Sequence, residues 1–292
     1  MPRQLHTTDR PSSTAQWTTL GRALELRRRD RIVTDTYAPV FLDARHRALQ
    51  FAFVAGGPVH RQLDRAELAG IAASGLCRHR MIDEQLLAAL PSVSQVVILG
   101  AGYDSRAWRF ASDIGSRPVF EVDLAPLSRR KAGLVASRPD LFGHATIRRV
   151  EIDFQTEALA DRLAAQGFTA GTPTFVAWEG VSMYLERAAL DATLGALASV
   201  CGPGSVVAMD FWQWVGRMGG YPLRLAVQRG MRLIGEPLTC AVRSDAVADV
   251  FAPHGFAVAD LADGPELTAR YATGGRRCDP GMYVVAARLG SG

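Results

Sequence analysis

The stretch that decides the fold of this chain is residues 95–104, which read Gln-Val-Val-Ile-Leu-Gly-Ala-Gly-Tyr-Asp. Its first half is a continuous apolar run with the length of a strand that is buried on both faces, as in parallel sheets. Glycines follow, and a glycine lets a ligand approach the backbone without meeting a Cβ. Because open α/β sheets bind ligands at the carboxyl ends of their strands, the stretch predicts a strand that ends at a ligand site.

Outward from this strand, short β-branched runs alternate with helical stretches. We predict strands at 95–99, 118–122, 145–152, 174–178 and 205–211, with helices such as 124–136 and 156–166 between them. Such alternation is typical of βαβ units and a parallel sheet. Two further strands, 255–260 and 281–288, have no clear helix between them, which predicts a hairpin-like antiparallel end to the sheet.

The chain before this region has a different pattern. From residue 17 to residue 90 the apolar side chains recur mostly at helical spacing. We therefore predict an N-terminal helical cap (1–92) and an α/β core (93–292). A segment at about 212–240 is rich in aromatic and methionine side chains and follows the fifth strand. It predicts a lid-like insertion over a substrate, although a helical pair packed on the sheet would have the same composition.

Composition narrows the class of protein. The 33 basic and 29 acidic residues are scattered and give a net charge of +4, whereas nucleic-acid binding calls for clustered basic side chains. The densest basic run, 27–31, fits a solvated helix end. Four widely spaced cysteines argue against a zinc site or a disulfide framework and predict reduced thiols in the cytoplasm. With no long apolar run, we expect no signal peptide and no membrane span.

The glycine loop excludes two common nucleotide-binding motifs. A dinucleotide fingerprint needs a third glycine where this chain has Ser105, and no Gly-Lys-Ser/Thr sequence follows as in a phosphate-binding loop. Asp123 ends the second predicted strand, about 20 residues after the glycines, where a carboxylate can accept hydrogen bonds from both ribose hydroxyls. The loop could be a simple turn and Asp123 could simply cap the next helix. Together and in this order they favour an adenosine ligand.

Five segments in order resemble a known family. They are 78–83 (Arg-His-Arg-Met-Ile-Asp), 95–106 (the decisive stretch followed by Ser-Arg), 120–124 (Phe-Glu-Val-Asp-Leu), 152–154 (Ile-Asp-Phe) and 178–185 (Trp-Glu-Gly-Val-Ser-Met-Tyr-Leu). This pattern resembles the leucine carboxyl methyltransferase-like family, including its bacterial branch of polyketide-type O-methyltransferases. The resemblance implies S-adenosylmethionine as cofactor. It also implies a class I methyltransferase fold, which is a Rossmann-like, seven-stranded, mostly parallel sheet with an antiparallel last strand.

The resemblance also implies roles for particular residues. Arg78 would pair with the carboxylate of the cofactor, Glu179 would bind its ammonium group, and Arg22 would reach it more loosely. Tyr184 would line the methyl-transfer site. The remaining implied contacts are Gly100, Ala101 and Gly102 under the amino-acid end, Asp123 with Leu124 at the ribose, and Asp153 with Phe154 at the adenine.

Simpler structural roles remain open for the same residues. Arg78 could be a solvated helix start, Glu179 a buried ion pair with an arginine, and Tyr184 a packing residue. His79, the only histidine beside a proposed site residue, is expected at the surface.

The function that we predict is O-methylation of a small natural-product acid or phenol by in-line displacement. No compelling His/Asp pair supplies a general base, which favours a carboxylate acceptor because it is already ionised. A nicotinamide-dependent oxidoreductase and a non-catalytic regulator with a cofactor pocket are the alternatives. We expect no metal, nucleic-acid or membrane partner and a cytoplasmic location; the sequence leaves the oligomeric state open.

Overall fold

Seven strands form one sheet in the part of the chain that a computed structural model describes, namely residues 13–55, 68–143, 145–153, 156–213, 229 and 239–291. They are β1 (Gln95–Leu99), β2 (Val119–Asp123), β3 (Ile147–Glu151), β4 (Thr174–Trp178), β5 (Val206–Trp212), β6 (Phe256–Asp263) and β7 (Met282–Leu289). Their order is β3-β2-β1-β4-β5-β7-β6. The first five strands are parallel, and β7 runs antiparallel to both of its neighbours.

The central strands are buried throughout because both faces of the sheet are covered. Every residue of β1, β2 and β4 is buried. Along β1, Val96 and Ile98 belong to one apolar core, whereas Val97 and Leu99 belong to the core on the opposite face. This explains why β1 reads as a continuous apolar run rather than an alternating one.

The sheet positions a crevice between β1 and β4. From β1 the chain adds β2 and then β3 on one side of the sheet. It then crosses back and adds β4 and β5 on the other side, so the strand order reverses between β1 and β4. The register pairs Ile98 with Ala177, which brings the residues after the two strands side by side. Such a switch point is where open α/β sheets bind ligands.

Helices of the core lie on both faces. They are α5 (Arg106–Arg109), α6 (Ala111–Ile114), α7 (Ala125–Ala136), α8 (Leu159–Ala165), α9 (Arg187–Val200), α10 (Ala248–Phe251) and α11 (Gly264–Tyr271). On α9, Leu190, Leu194 and Leu197 repeat at helical spacing and are all buried against one face of the sheet.

The N-terminal part is helical, as predicted. It contains α1 (Ser13–Glu25), α2 (Ala38–Phe41), α3 (Ala44–Ala55) and α4 (Leu68–Ala89). Helix α4 shares the core of the sheet through Met81, Ile82 and Leu86, on the face opposite α9. Helix α2 joins the same core through Phe41. Helices α1 and α2 also form a small apolar cluster of their own, which includes Leu20 and Ala38. A domain boundary at residue 92 stays a prediction.

Most predicted strands lie within two residues of their predicted ends, and the antiparallel end of the sheet is confirmed. The prediction that no helix separates the last two strands is wrong, because α11 lies between them. Asp263 and Glu266 form a capping box at its start, and a proline occupies its first turn. Strand β6 also extends three residues beyond the predicted end at residue 260.

The proposed insertion at about 212–240 falls mostly outside the described residues, so its lid role stays a prediction. Among the helices that the structure describes, none combines the length and apolar character needed to cross a membrane.

Candidate functional site

The glycine loop leaves β1 at the crevice and packs against the segment after β4. Gly100 has φ 64° and Gly102 has φ 43°, the left-handed region that favours glycine. A Cβ built on Gly100 would lie 2.5 Å from Cγ2 of Val181. The amide of Ala101 donates to the carbonyl of Val122 over 3.1 Å and ties the loop to β2. The loop is therefore fixed on both sides by backbone geometry and packing.

Asp123 is joined to this loop by its side chain. Its Oδ2 accepts from the amide of Gly102 at 2.5 Å, and its Oδ1 accepts from the amide of Leu124 at 2.7 Å. Burial raises the pKa of Asp123, and these two amides act in the opposite direction. The residue at the N-cap position of α7 is Leu124, and no side chain caps the first turn of this helix. Asp123 therefore does not act as a helix cap. Each oxygen keeps acceptor capacity for a hydroxyl group.

Arg78 and Glu179 lie together on the other side of the loop. Arg78 sits in the middle of α4 and is buried, so a solvated helix start is excluded. Its Nε donates to Oε1 of Glu179 at 3.0 Å, and its Nη1 donates to Oδ2 of Asp210 at 2.9 Å. Asp210 also accepts from the amide of Gly180 at 2.6 Å. The structure thus forms the buried ion pair that the sequence left open for Glu179.

The charge around Glu179 favours its ionised form. Burial alone would raise the pKa of Glu179, but contacts with His79, Arg106 and Arg78 hold it well below its usual value. The same partners act on Arg78: burial opposes its charge, whereas Asp210 and Glu179 raise its pKa above the ordinary value. Both groups are therefore charged at neutral pH.

Arg106 connects three elements beneath the site. It is 1% exposed, and it donates to Asp83 of α4 at 2.7 Å, to Asp104 of the loop, and to Glu179 at 2.7 Å. Arg109 adds two bonds to Asp83 at 2.7 and 2.9 Å. The sequence indicated Arg106 only as part of a matching segment, without a role.

His79 is buried at 2% exposure, so the expectation that it lies at the surface is wrong. It sits on the same helix as Arg78, and its ring lies between Glu179 and Arg109. Asp210 was missed as well. Its signal was a single carboxylate within the apolar run of β5, where a charge needs a partner.

The other predicted residues lie around this centre. Nη2 of Arg22 donates to the carbonyl of Tyr103 at 2.8 Å and its Nε pairs with Asp35 at 2.9 Å, so α1 reaches the loop. Asp153 is exposed just beyond the carboxyl end of β3. Tyr184 is half-buried in a 3₁₀ turn, and its hydroxyl donates to Oγ1 of Thr14 at 3.3 Å.

Two groups are thus brought together by the fold: Gly102 with Asp123 and Leu124, and Arg78 with Glu179. Phe154 lies outside the described residues. The contacts of all these residues with a cofactor stay predictions.

The sheet order, the antiparallel β7 and the glycine loop define a class I methyltransferase-like α/β fold. A crystal structure from Thermobifida fusca, provisionally described as a methyltransferase, has a TM-score of 0.58 over 98% of this chain and 97% of its own. At 16% identity that likeness shows the fold alone.

The sequence model of the family described as leucine carboxyl methyltransferase matches residues 15–198, and the chain belongs to this family. The resemblance is therefore confirmed.

Two relatives carry the provisional name of S-adenosyl-L-methionine-dependent methyltransferase. The protein from Rhodococcus jostii is 37% identical over 65% of this chain and 62% of its own length. The protein from Mycobacterium marinum is 31% identical over 68% of this chain and 64% of its own length. The chain thus spans less than two thirds of the length of these relatives.

Proposed function

We propose that this chain is an S-adenosylmethionine-dependent O-methyltransferase that acts on a carboxylate, or else a hydroxyl, of a small acid or phenol of the natural-product type. The observation that carries the proposal is the arrangement at the β1/β4 crevice. An ionised Arg–Glu pair lies on one side of a glycine loop, and a carboxylate bonded to that loop lies on the other. The family and the names of the relatives support the cofactor.

The chemistry of these side chains fits an adenosyl amino acid. A guanidinium suits a carboxylate, and a carboxylate suits an ammonium group, so Arg78 and Glu179 would hold the zwitterionic end. Asp123 would accept from the ribose hydroxyls, with Leu124 beside it and Gly100, Ala101 and Gly102 under the amino-acid end. Asp153, with Phe154, would bracket the adenine. When bound, the cofactor supplies an electrophilic methyl group and a neutral thioether as leaving group.

The protein's own part in the reaction is orientation. In-line displacement requires the acceptor oxygen to be held behind the methyl group, and positioning of that kind lowers the barrier without a proton transfer. A carboxylate acceptor is already ionised. Tyr184 would help to orient the acceptor. It lies five residues after Glu179 in the chain, and its hydroxyl faces Thr14 of α1. His79 is buried between charged groups, which argues against a role as base for the substrate.

The site supports an acceptor that is a small molecule rather than a nucleic acid. Basic side chains at the described site, Arg78 and Arg106, are buried and paired with carboxylates instead of forming an exposed basic face. A cytoplasmic location belongs to the proposal, and it is supported by the four cysteines, which are buried free thiols.

Calorimetry tests the cofactor. We expect S-adenosylmethionine and S-adenosylhomocysteine to bind, and Asp123→Ala to weaken both by about 1–3 kcal/mol through lost charge-assisted hydrogen bonds. Asp140→Ala is the matched control, because Asp140 is an exposed aspartate paired with Arg138, and it should leave both affinities unchanged. Unchanged affinity in Asp123→Ala would remove Asp123 from the site.

Mass spectrometry of an acid and phenol library tests the reaction. The expected product is heavier by one methylene unit and depends on S-adenosylmethionine. Binding of NADH with no binding of S-adenosylhomocysteine would support the oxidoreductase instead. Good cofactor binding without any methylated product across the library would support the regulator.

A further inference from the structure

The two oxygens of Glu179 have different surroundings. Oε2 contacts Arg106 Nη2 at 2.7 Å and His79 Nδ1 at 2.8 Å. Oε1 accepts from Arg78 Nε at 3.0 Å. A carboxylate oxygen has about two good acceptor directions. Oε2 is therefore saturated by protein donors, whereas Oε1 keeps one direction open beside Arg78.

The contacts of His79 determine its tautomer. Arginine only donates, so Arg109 Nη2, at 2.7 Å from Nε2, requires that nitrogen to be an acceptor. Nδ1 lies 2.8 Å from Glu179 Oε2 and 3.0 Å from Arg106 Nη2. Because the two hydrogens of Arg106 Nη2 have other acceptors, Glu179 Oε2 and the carbonyl of His79, the ring proton belongs on Nδ1 and is donated to Glu179. Burial, and then the positive charge of Arg106, lower the pKa of His79, which agrees with a neutral ring. A protonated ring would set an N–H against the N–H of Arg109.

Nearby groups hold this ring and Arg106 in place. Asp83 lies 3.9 Å from His79 Nε2 and accepts from both Arg106 and Arg109. Arg106 Nη2 also donates to the backbone carbonyl of His79 at 3.1 Å. The donors to Glu179 Oε2 are therefore fixed by α4 and α5, and neither belongs to the segment that carries Glu179 itself.

We infer that His79, as its Nδ1–H tautomer, and Arg106 are positioning residues for the cofactor's ammonium group. They fix Glu179 through Oε2 and so leave Oε1 directed to the ammonium, next to the Arg78 guanidinium for the carboxylate. This inference rests on the proposed function. It makes His79 a determinant of affinity for the amino-acid end of the cofactor, without a role at the adenosine end.

Substitutions at His79 separate positioning from simple packing. Asparagine places an amide N–H near the Nδ1 position, whereas glutamine places its amide near Nε2 and leucine has no donor. Calorimetry should compare S-adenosylhomocysteine with 5′-methylthioadenosine, an adenosyl thioether that lacks the amino-acid end. We expect His79→Gln and His79→Leu to weaken S-adenosylhomocysteine roughly tenfold or more, as for lost hydrogen bonds to a charged group. Affinity for 5′-methylthioadenosine should stay unchanged, and His79→Asn should restore S-adenosylhomocysteine binding.

His254→Gln is the matched control. His254 also faces a carboxylate, with Nε2 at 3.7 Å from Asp191. It lies just before β6, whose first residue pairs with Leu289 at the amino-terminal edge of the parallel strands, opposite the glycine loop. Both ligands should bind this variant as they bind the unsubstituted protein.

A second measurement needs no substitution. The ¹⁵N shifts of the His79 ring in the unsubstituted protein should report a proton on Nδ1 and a bare Nε2. A proton on Nε2 would overturn the inference. Equal weakening of both ligands, no weakening in His79→Gln, or an asparagine variant as weak as glutamine would do the same. If the unsubstituted protein binds neither ligand, the proposed function fails and the inference fails with it.

Discussion

Gly100 meets two separate requirements at one position. Its φ of 64° strains any residue with a Cβ, and that Cβ would also lie 2.5 Å from Val181 Cγ2. Gly115 meets only the first requirement, because it has φ 62° and no atom lies within 4 Å of the place that a Cβ would occupy. The pair therefore separates backbone strain from steric overlap in the same protein.

We expect Gly100→Ala to destabilise the protein by about 2–5 kcal/mol, the sum of left-handed strain and overpacking. Gly115→Ala should cost only backbone strain, about 1–3 kcal/mol, because Gly115 combines φ 62° with ψ −131°, a region that side chains with a Cβ rarely adopt. Urea unfolding measures both. Adding Val181→Ala to Gly100→Ala should recover the overlap part, and a double variant no better than the single one would show that Val181 is not the obstacle.

Most of the site residues that the sequence predicted are carried by short motifs at the ends of strands, whereas Arg22 and Arg78 lie on helices and were predicted through the resemblance alone. Gly102 and Asp123 could be predicted because consecutive parallel strands end at the same edge of a sheet. The partners of His79 and Asp210 could not be predicted, since they depend on which helix face meets which strand. Arg78 and Asp210, for example, are 132 positions apart in the chain. Pattern alone does not fix such a pairing.

At the level of elements, one buried ion pair joins α7 to β2. Lys131 Nζ donates to Glu121 Oε1 at 2.8 Å, and both side chains are almost fully buried. The ammonium also lies 5.3 Å from the ring centre of Trp108 and 5.9 Å from that of Phe41, so α2 and α5 cover it. Removing one partner would leave the other charge without compensation.

We expect Lys131→Met to destabilise the protein by about 3–5 kcal/mol, because it leaves Glu121 buried and unpaired. Combining it with Glu121→Leu should recover most of this loss, since an apolar pair of similar volume replaces a buried ion pair at little cost. Arg129→Met is the control, as Arg129 on the same helix pairs with Glu151 in solvent and should show no measurable change. A double variant as unstable as Lys131→Met would contradict the ion-pair explanation.

Among the helices and strands, those with a clear apolar pattern could be predicted from the sequence. Strands such as β1 were predicted because burial on both faces leaves a continuous apolar run. Helix α11 was missed because it has only eight residues and buries just Gly264 and Leu267. Its start is instead fixed by the capping box, and Gly264 lies so close to the backbone of Asp279 that a Cβ would not fit there. That approach is a tertiary contact, and the sequence pattern contains no sign of it.

Across the whole molecule, one polar network connects the N-terminal helices, the glycine loop and the far side of the crevice. Asp83 of α4 holds Arg106 and Arg109 of α5, and Arg106 reaches Asp104 and Glu179. Burial alone would raise the pKa of Asp83, but the guanidinium groups of Arg106 and Arg109, which donate to this carboxylate, lower it to about 2. Acidification should therefore act on the stability of the fold through this carboxyl group.

The direction follows from proton binding. Between pH values near 3.8, the usual pKa of the side chain, and about 2, Asp83 is ionised in the folded protein but protonated in the unfolded chain. The contribution of the ionised Asp83 to the free energy of unfolding is fully present above the pKa of the unfolded chain. It is lost as the pH falls through the pKa of the folded protein. Burial raises the pKa of Asp123 and Asp210, so their effect is opposite in sign. The difference in unfolding free energy between the unsubstituted protein and an Asp83 variant therefore isolates this carboxyl group. The pH dependence of the unsubstituted protein alone does not.

We expect Asp83→Asn to be less stable than the unsubstituted protein by about 3–5 kcal/mol at neutral pH, because two buried arginines lose their carboxylate. That gap should narrow by roughly 1 kcal/mol on going to about pH 3, since only the unsubstituted protein loses the contribution of an ionised Asp83. Urea unfolding at a series of pH values measures the gap. Asp140→Asn, at an exposed aspartate paired with Arg138, should show no measurable gap at any pH. A gap for Asp83→Asn that stays constant with pH would mean that the network does not hold Asp83 ionised, and that Arg106 and Arg109 owe their positions to packing instead.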